Sequence, residues 1–311
     1  MSVNVSEREY DNYGKCIFLD NGSAELGITV DVGPRIIYFS LKEHNNIMFE
    51  DHGRRFTEKV QGMDDWVNYG GHRLWCAPEV NPETYSPDNA PVAYTVNGNT
   101  VTLAPKATPF GKAFSLEVTM DEEKPVVTVC HKIRNVSDKP AKYAAWSITG
   151  LRSGGVCKIP VSTRKTGYLG NRTLALWDYT DINDPRFSLS NTEIRLRQDI
   201  YKKNAFKIGL NVEDGFVCYA VSGQIFVKSV PAYRDIDYPD FSCNFETYTN
   251  SLFLECENIG EYREYARDEE AVLTEKWFLI DNTDENEPEL SDVKAELDRI
   301  GFLNGTANNI E

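Results

Sequence analysis

The feature that most restricts this chain is alternation: apolar and polar residues trade places in short runs cut by turn residues. A period of two sends successive side chains to opposite faces of an extended strand and conflicts with the 3.6-residue period of a helix. CIFLDNGSAELGITVDVGPRIIYFSL, from Cys16 to Leu41, supplies three strand candidates separated by Asn21-Gly22 and Gly33-Pro34, both turn-forming pairs. PVAYTVNGNTVTLAPKA reads as a hairpin, with YTV and TVTLA on either side of Asn97-Gly98. Three more strands are read from FSLEVTMDEEKPVVTVCHKIRNVSDKPAKYAAWSITGL. FKIGLNVEDGFVCYAVSGQIFVKSV, NFETYTNSLFLECENIG and EEAVLTEKWFLIDN continue the pattern. The clear helical signal is SDVKAELDRIG, where Leu290, Val293, Leu297 and Ile300 share a face, Ser291 can cap and Gly301 can stop the helix. With no repeat and no linker, residues 1–311 are expected to form one all-β domain. Its architecture should be a large antiparallel β-sandwich of roughly fifteen to twenty strands. A C-terminal helix is expected over 287–300 and a flexible tail over 302–311.

A chain of 311 residues can bury a full core without disulfide or metal staples. Its 15 Phe, 16 Tyr and 5 Trp suit strands, and aromatic rings also form platforms for sugars. The net charge of −15 repels nucleic acid and anionic membrane surfaces, so neither is an expected partner. The seven cysteines are odd in number, include no CxxC pair and lie in apolar strand-like runs. They read as reduced, buried thiols of a reducing compartment. MSVNVSEREYDNYGK lacks the basic start and apolar run of a signal peptide, so a cytoplasmic location is the expectation.

The region from Glu50 to Pro91 is long and poor in strand signals, yet holds Trp66, Tyr69, Trp75 and Tyr85 with prolines at 78, 82, 87 and 91. An ordered functional loop is expected there. Within it, YGGHRLWCAPE gathers groups with distinct chemistry. Gly70-Gly71 permits close backbone approach. His72 titrates near neutrality, Arg73 offers a planar fork of donors, and Trp75 can stack on a sugar face. The plainer alternative is a structural corner, with Arg73 paired to Glu79 and Trp75 in the core. In NSLFLECENIG, alternation places Phe253, Glu255 and Glu257 on one face. These carboxylates are either a solvated face or a site in which one acts as general base. His131 reads as a satisfied strand histidine, and His44 and His52 as turn residues. Metal-ligand spacings, phosphate loops, dinucleotide fingerprints and the GxSxG elbow are absent from the sequence, so no cofactor and no metal is expected.

Three segments, in order, resemble the galactose-mutarotase-like (aldose 1-epimerase-like) superfamily. DVGPRIIYFSLKEHNNIMFED is similar to its early Gly-x-Arg-Ile strand pair, and YGGHRLWCAPE to the Gly-Gly loop bordering the sugar site. LFLECENIGEYREYARDEEAVLTEKWFLI is similar to the segment carrying the catalytic glutamate. The resemblance implies a β-supersandwich that binds a small-molecule carbohydrate, with Glu255 as general base. One departure stands out: where the family carries an acid histidine, after a motif like NVSDKP, this chain has Trp146 or Ser147. His72 or His131 would then have to supply the acid, and Arg35, Arg73 and Arg152 compete for the ring-binding role. The expected site therefore comprises Glu255 and His72, with Arg73, Trp75, Tyr69, Glu79, Trp146, Arg35 and Arg152 around the sugar. Alternatives are a non-catalytic sugar-binding protein, or a glycoside hydrolase or lyase pairing Glu255 with Glu246, Glu79 or Asp64. The sugar and the oligomeric state are not specified by these patterns.

Overall fold

A computed structural model describes residues 2–104, 107–233 and 235–303. Among them, 23 strands form two large antiparallel sheets and a short two-stranded ribbon. The larger sheet has 11 strands. Ten of them run Asn4–Glu9, Lys15–Asp20, Ala24–Thr29, Ile36–Leu41, His72–Ala77, Ala141–Arg152, Phe253–Ile259, Phe245–Thr249, Phe206–Leu210 and Leu174–Leu176, and the eleventh, Arg263–Tyr265, pairs with Ala141–Arg152 off this path. The second sheet has 10 strands, with Gln224–Ser229, Glu270–Asp281, Val126–Asn135 and Lys112–Met120 side by side in its middle. The expected hairpin forms between Ala93–Asn97 and Thr100–Ala104, with Gly98 at φ +60° in its turn.

The two sheets face each other across one core, as the alternation dictates. Leu26, Ile36, Leu151, Ile208 and Leu254 point inward from the larger sheet, and Val118, Val129, Val217, Phe226 and Trp277 from the second. Each such side chain withdrawn from water contributes ~1.5–3 kcal/mol. The odd-numbered partners of the inward residues in Phe253–Ile259 are Phe253, Glu255, Glu257 and Ile259, which face away from the second sheet.

The helix spans Leu290–Ile300 and ends at Gly301 in the left-handed region. It begins later than the expected 287, and its N-cap is Glu289 rather than Ser291, whose hydroxyl hydrogen-bonds Asp292 instead. Val293 and Leu297 press onto Phe216, Val227 and Phe278, which covers the outer face of the second sheet. Phe302, expected in a flexible tail, is buried against Phe278, while 304–311 lie outside the described residues. All seven cysteines are free thiols. No described helix is long and apolar enough to cross a membrane.

The main departure from the sequence expectation is His72–Ala77. The supposed loop motif is a strand in the middle of the larger sheet, paired along Ala141–Arg152 and joined to Ile36–Leu41. HRLWCA carries polar side chains on both faces, His72 inward and Arg73 outward, so it lacks the polar–apolar contrast that marks a half-buried strand. Both faces are nonetheless covered, one by the second sheet and the other by aromatic side chains.

Candidate functional site

The outward faces of five neighbouring strands build one groove of about 410 Å³. His72–Ala77 supplies Arg73 and Trp75, Ala141–Arg152 supplies Trp146 and Ile148, and Phe253–Ile259 supplies Phe253, Glu255 and Glu257. Phe245–Thr249 adds Tyr248 and Phe206–Leu210 adds Lys207. The short ribbon of Thr57–Glu58 and Trp66–Val67 adds Trp66, and loops close the sides with Glu79, Tyr85, Trp177 and Tyr179. The strand period of two explains this membership, because each residue follows an inward-facing neighbour.

Three ion pairs, made by two cations, lie in and beneath the floor. Arg73 Nη1 donates to Glu255 Oε1 at 3.0 Å, with both side chains buried. Lys207 Nζ lies 3.0 Å from Glu257 Oε2 and 2.7 Å from Glu246 Oε2. Trp146 Nε1 also donates to Glu257 Oε2, at 2.9 Å. Burial raises the Glu255 carboxyl above the usual range against the pull of Arg73, and Glu257 adds to the rise. Burial likewise pushes Glu246 up to about 8, with Lys207 opposing and Glu257 reinforcing the shift. Burial alone would lower the Lys207 ammonium, yet Glu257 and Glu246 together hold it above its ordinary value. The side-chain atoms Glu257 Oε1, Glu246 Oε1 and Arg73 Nε are buried without a hydrogen-bond partner in the chain. Buried polar atoms of this kind are costly unless something completes them.

The aromatic wall is most closely packed around Trp75. Trp75 packs edge-on against Tyr85 and Trp146 and tilted against Trp66, at centroid separations of 5.2, 5.5 and 5.2 Å. The Arg73 guanidinium lies 4.2 Å from the Trp75 centroid, and Lys207 Nζ lies 4.7 Å from both Trp146 and Trp177. Glu79 accepts a hydrogen bond from the Tyr85 hydroxyl at 2.5 Å and is exposed at the rim. It is therefore not the partner of Arg73.

The structure brings Glu255, Arg73, Trp75, Glu79 and Trp146 together but leaves four expected residues elsewhere. His72 is fully buried on the inner face of its strand. Its Nε2 lies 2.7 Å from His131 Nε2, and its Nδ1 lies 2.9 Å from Thr149 Oγ1. His131 Nδ1 must donate to Leu273 O, so His131 Nε2 accepts from His72 and His72 Nδ1 accepts from Thr149. Lys228 in turn donates to Thr149 Oγ1 at 2.8 Å. None of the four histidines lines the groove. Arg35 is wholly buried, held by Asp88, Pro34 O and Asn68 O beside a separate cavity of about 260 Å³. Tyr69 is buried with its hydroxyl on Asn89 Oδ1, and Arg152 donates to Asn46 O at the end of its strand. Of the second carboxylates considered for hydrolysis, Asp64 is exposed away from the groove and Glu246 lies beneath Lys207.

Among the described residues, one group of possible metal donors is close-set: His72, His131 and Glu275. Glu275 already accepts from Ser147, Asn258 and Trp277 and faces the Lys228 ammonium at 3.4 Å. That set is a completed hydrogen-bond network in which a further cation would meet Lys228.

Lys207, Tyr248, Trp177 and Tyr179 are groove residues that sequence reasoning did not single out. Lys207 had a signal: in FKIGL a lone lysine interrupts an otherwise apolar strand. Trp177 and Tyr179 in WDYT show strand-like spacing, but no local pattern ties them to the strands that carry Glu255 and Lys207.

No family model matches the sequence, and no curated protein matches it. Solved structures do. A TPR-domain containing protein from Parabacteroides distasonis aligns with a TM-score of 0.59 at 14% identity over 89% of this chain. The chain spans 48% of that protein's length. A provisionally named aldose 1-epimerase from Klebsiella pneumoniae aligns at TM-score 0.58 and 9% identity, covering 95% of this chain and 87% of that one. A galactose mutarotase-like protein from Lactobacillus casei aligns at 0.54 and 9%, covering 85% and 100%. With its two facing antiparallel sheets and these alignments, the chain has the β-supersandwich fold of galactose mutarotase-like proteins.

Proposed function

We propose that the protein binds a neutral carbohydrate in this groove and acts at its anomeric centre, with Glu255 as the base. The observation that carries the reading is the convergence of Glu255 and Glu257 with Arg73 and Lys207 inside an aromatic wall. Sugar hydroxyls can pair with the polar groups of the floor, while the apolar face of a pyranose packs on indole. The carboxylates Glu58, Glu79, Glu255 and Glu257 outnumber the cations Arg73 and Lys207, which disfavours phosphorylated or acidic sugars. The mutarotase-like fold supports the substrate class.

Anomer exchange requires a base at the anomeric hydroxyl and a donor at the ring oxygen. A carboxylate whose affinity for protons is raised by burial suits the first task. For the second, the groove offers Lys207, held protonated by its glutamates, and the Tyr248 hydroxyl, whose strand register sets it opposite Glu255. Glu255→Gln should slow accelerated anomer exchange of aldoses at least ~100-fold, read by magnetisation-transfer NMR, while sugar binding persists. An unchanged rate would remove Glu255 from the chemistry.

A second reading, glycoside hydrolysis, is favoured by one specific observation. Glu255 and Glu257 share a face two residues apart, or ~6.6 Å along the strand, within the range two-carboxylate hydrolysis uses. Release of nitrophenol from neutral aryl glycosides, lost in Glu257→Gln, would establish this reading over epimerisation.

A further inference from the structure

The groove is longer than a single sugar needs. From the Arg73 strand to the Lys207 strand it crosses four inter-strand steps, or ~19 Å at the usual spacing. Its volume of about 410 Å³ falls in the range of pockets for ligands well above the size of one small sugar. The chemistry is also distributed in two parts. The Arg73–Glu255 pair sits beneath Trp75, and Lys207 carries the polar floor onward to Trp177 and Tyr179 at the far end. Trp177 is half-buried and Tyr179 exposed, and neither ring packs on another aromatic ring, unlike the mutually packed cluster around Trp75. Between the two ends, Glu257 lies in the floor beside Lys207 and the Trp146 indole N–H.

Taking the sugar reading of the groove as its basis, we propose that the site accommodates a neutral disaccharide or longer chain, with a second sugar unit seated on Trp177 and Tyr179. In this arrangement one unit lies over Arg73 and Glu255. The next is held from below by Glu257 and Lys207 and from the side by the Trp177 ring. Phosphorylated chains are disfavoured by the same surplus of carboxylates.

The test is calorimetric titration of the full chain with glucose and galactose against lactose, maltose, cellobiose and their trisaccharide homologues. At least one di- or trisaccharide is expected to bind about tenfold more tightly than its component monosaccharide. Trp177→Ala should lower the ratio of oligosaccharide to monosaccharide affinity about tenfold, as expected for loss of one stacking platform. Tyr179→Ala, at an exposed rim position, gives a second reading should the tryptophan variant fold poorly. Equal affinity for monosaccharides and oligosaccharides, unaffected by either substitution, overturns the extended site and leaves the single-sugar groove standing. No binding by any member of the panel overturns both.

Discussion

Glu255 and His72 show how much hangs on which face a side chain occupies. Alternation in LFLECENI correctly separates Glu255 and Glu257 from Leu254 and Cys256, because that strand is apolar on one side. The same rule applied to HRLWCA would have put Arg73 and Trp75 on one face and His72 on the other, but the motif was read as a loop, where no face is defined. His72 instead helps complete a chain of hydrogen bonds from Lys228 through Thr149 to His131 and Leu273 O. At this scale two substitutions are informative. Arg73→Met leaves Glu255 buried without its counter-ion, so it should cost ~3–5 kcal/mol of stability, measured by urea unfolding. Glu246→Gln tests the carboxyl beneath Lys207. A folded-state value raised to about 8 means the folded protein holds a proton that the unfolded chain releases from about pH 4.5 upward, so this group's contribution is lost as pH rises towards 8. The variant should therefore gain on the wild type between pH 5 and pH 8, by at most ~1.4 kcal/mol per pH unit, and hold a constant margin above. A margin independent of pH would mean Glu246 is ionised throughout.

At the scale of elements, the turn-punctuated strands, the Asn97-Gly98 hairpin and the C-terminal helix were legible because each has a local signature. The strand His72–Ala77 was not, since its place depends on partners distant in sequence, Ile36 and Ala144–Thr149. Its entry is set by Gly70 and Gly71, at φ +92° and +65°. A Cβ on Gly71 would lie 2.3 Å from Ile36 O, so backbone would have to move. Gly71→Ala should cost ~3 kcal/mol or more, and by displacing Arg73 it should weaken sugar binding as well. Thermal unfolding and titration read the two effects; a variant with wild-type stability would contradict this account of the strand's entry. The far wall was equally hidden. Lys207, Trp177 and Tyr179 come from strands and loops whose neighbours in the sheet no short-range pattern specifies.

For the whole molecule, the layers separate stability from function. The groove occupies the outer face of the larger sheet, and the helix covers the outer face of the second, with the core between them. Leu297→Ala should therefore cost ~2–5 kcal/mol through the cavity it leaves, while saccharide affinity measured below the unfolding transition stays unchanged. The central claim is that a carbohydrate occupies the groove, and the five tryptophans report on it directly. Trp75, Trp146 and Trp177 line the groove, whereas Trp277 is fully buried in the core, its indole N–H on Glu275. In an ¹⁵N-labelled protein titrated with neutral mono- and oligosaccharides, the indole signals of Trp75 and Trp146 should shift in a saturable manner while that of Trp277 stays in place. Saturable binding of a sugar that leaves Trp75 and Trp146 unmoved would contradict the account.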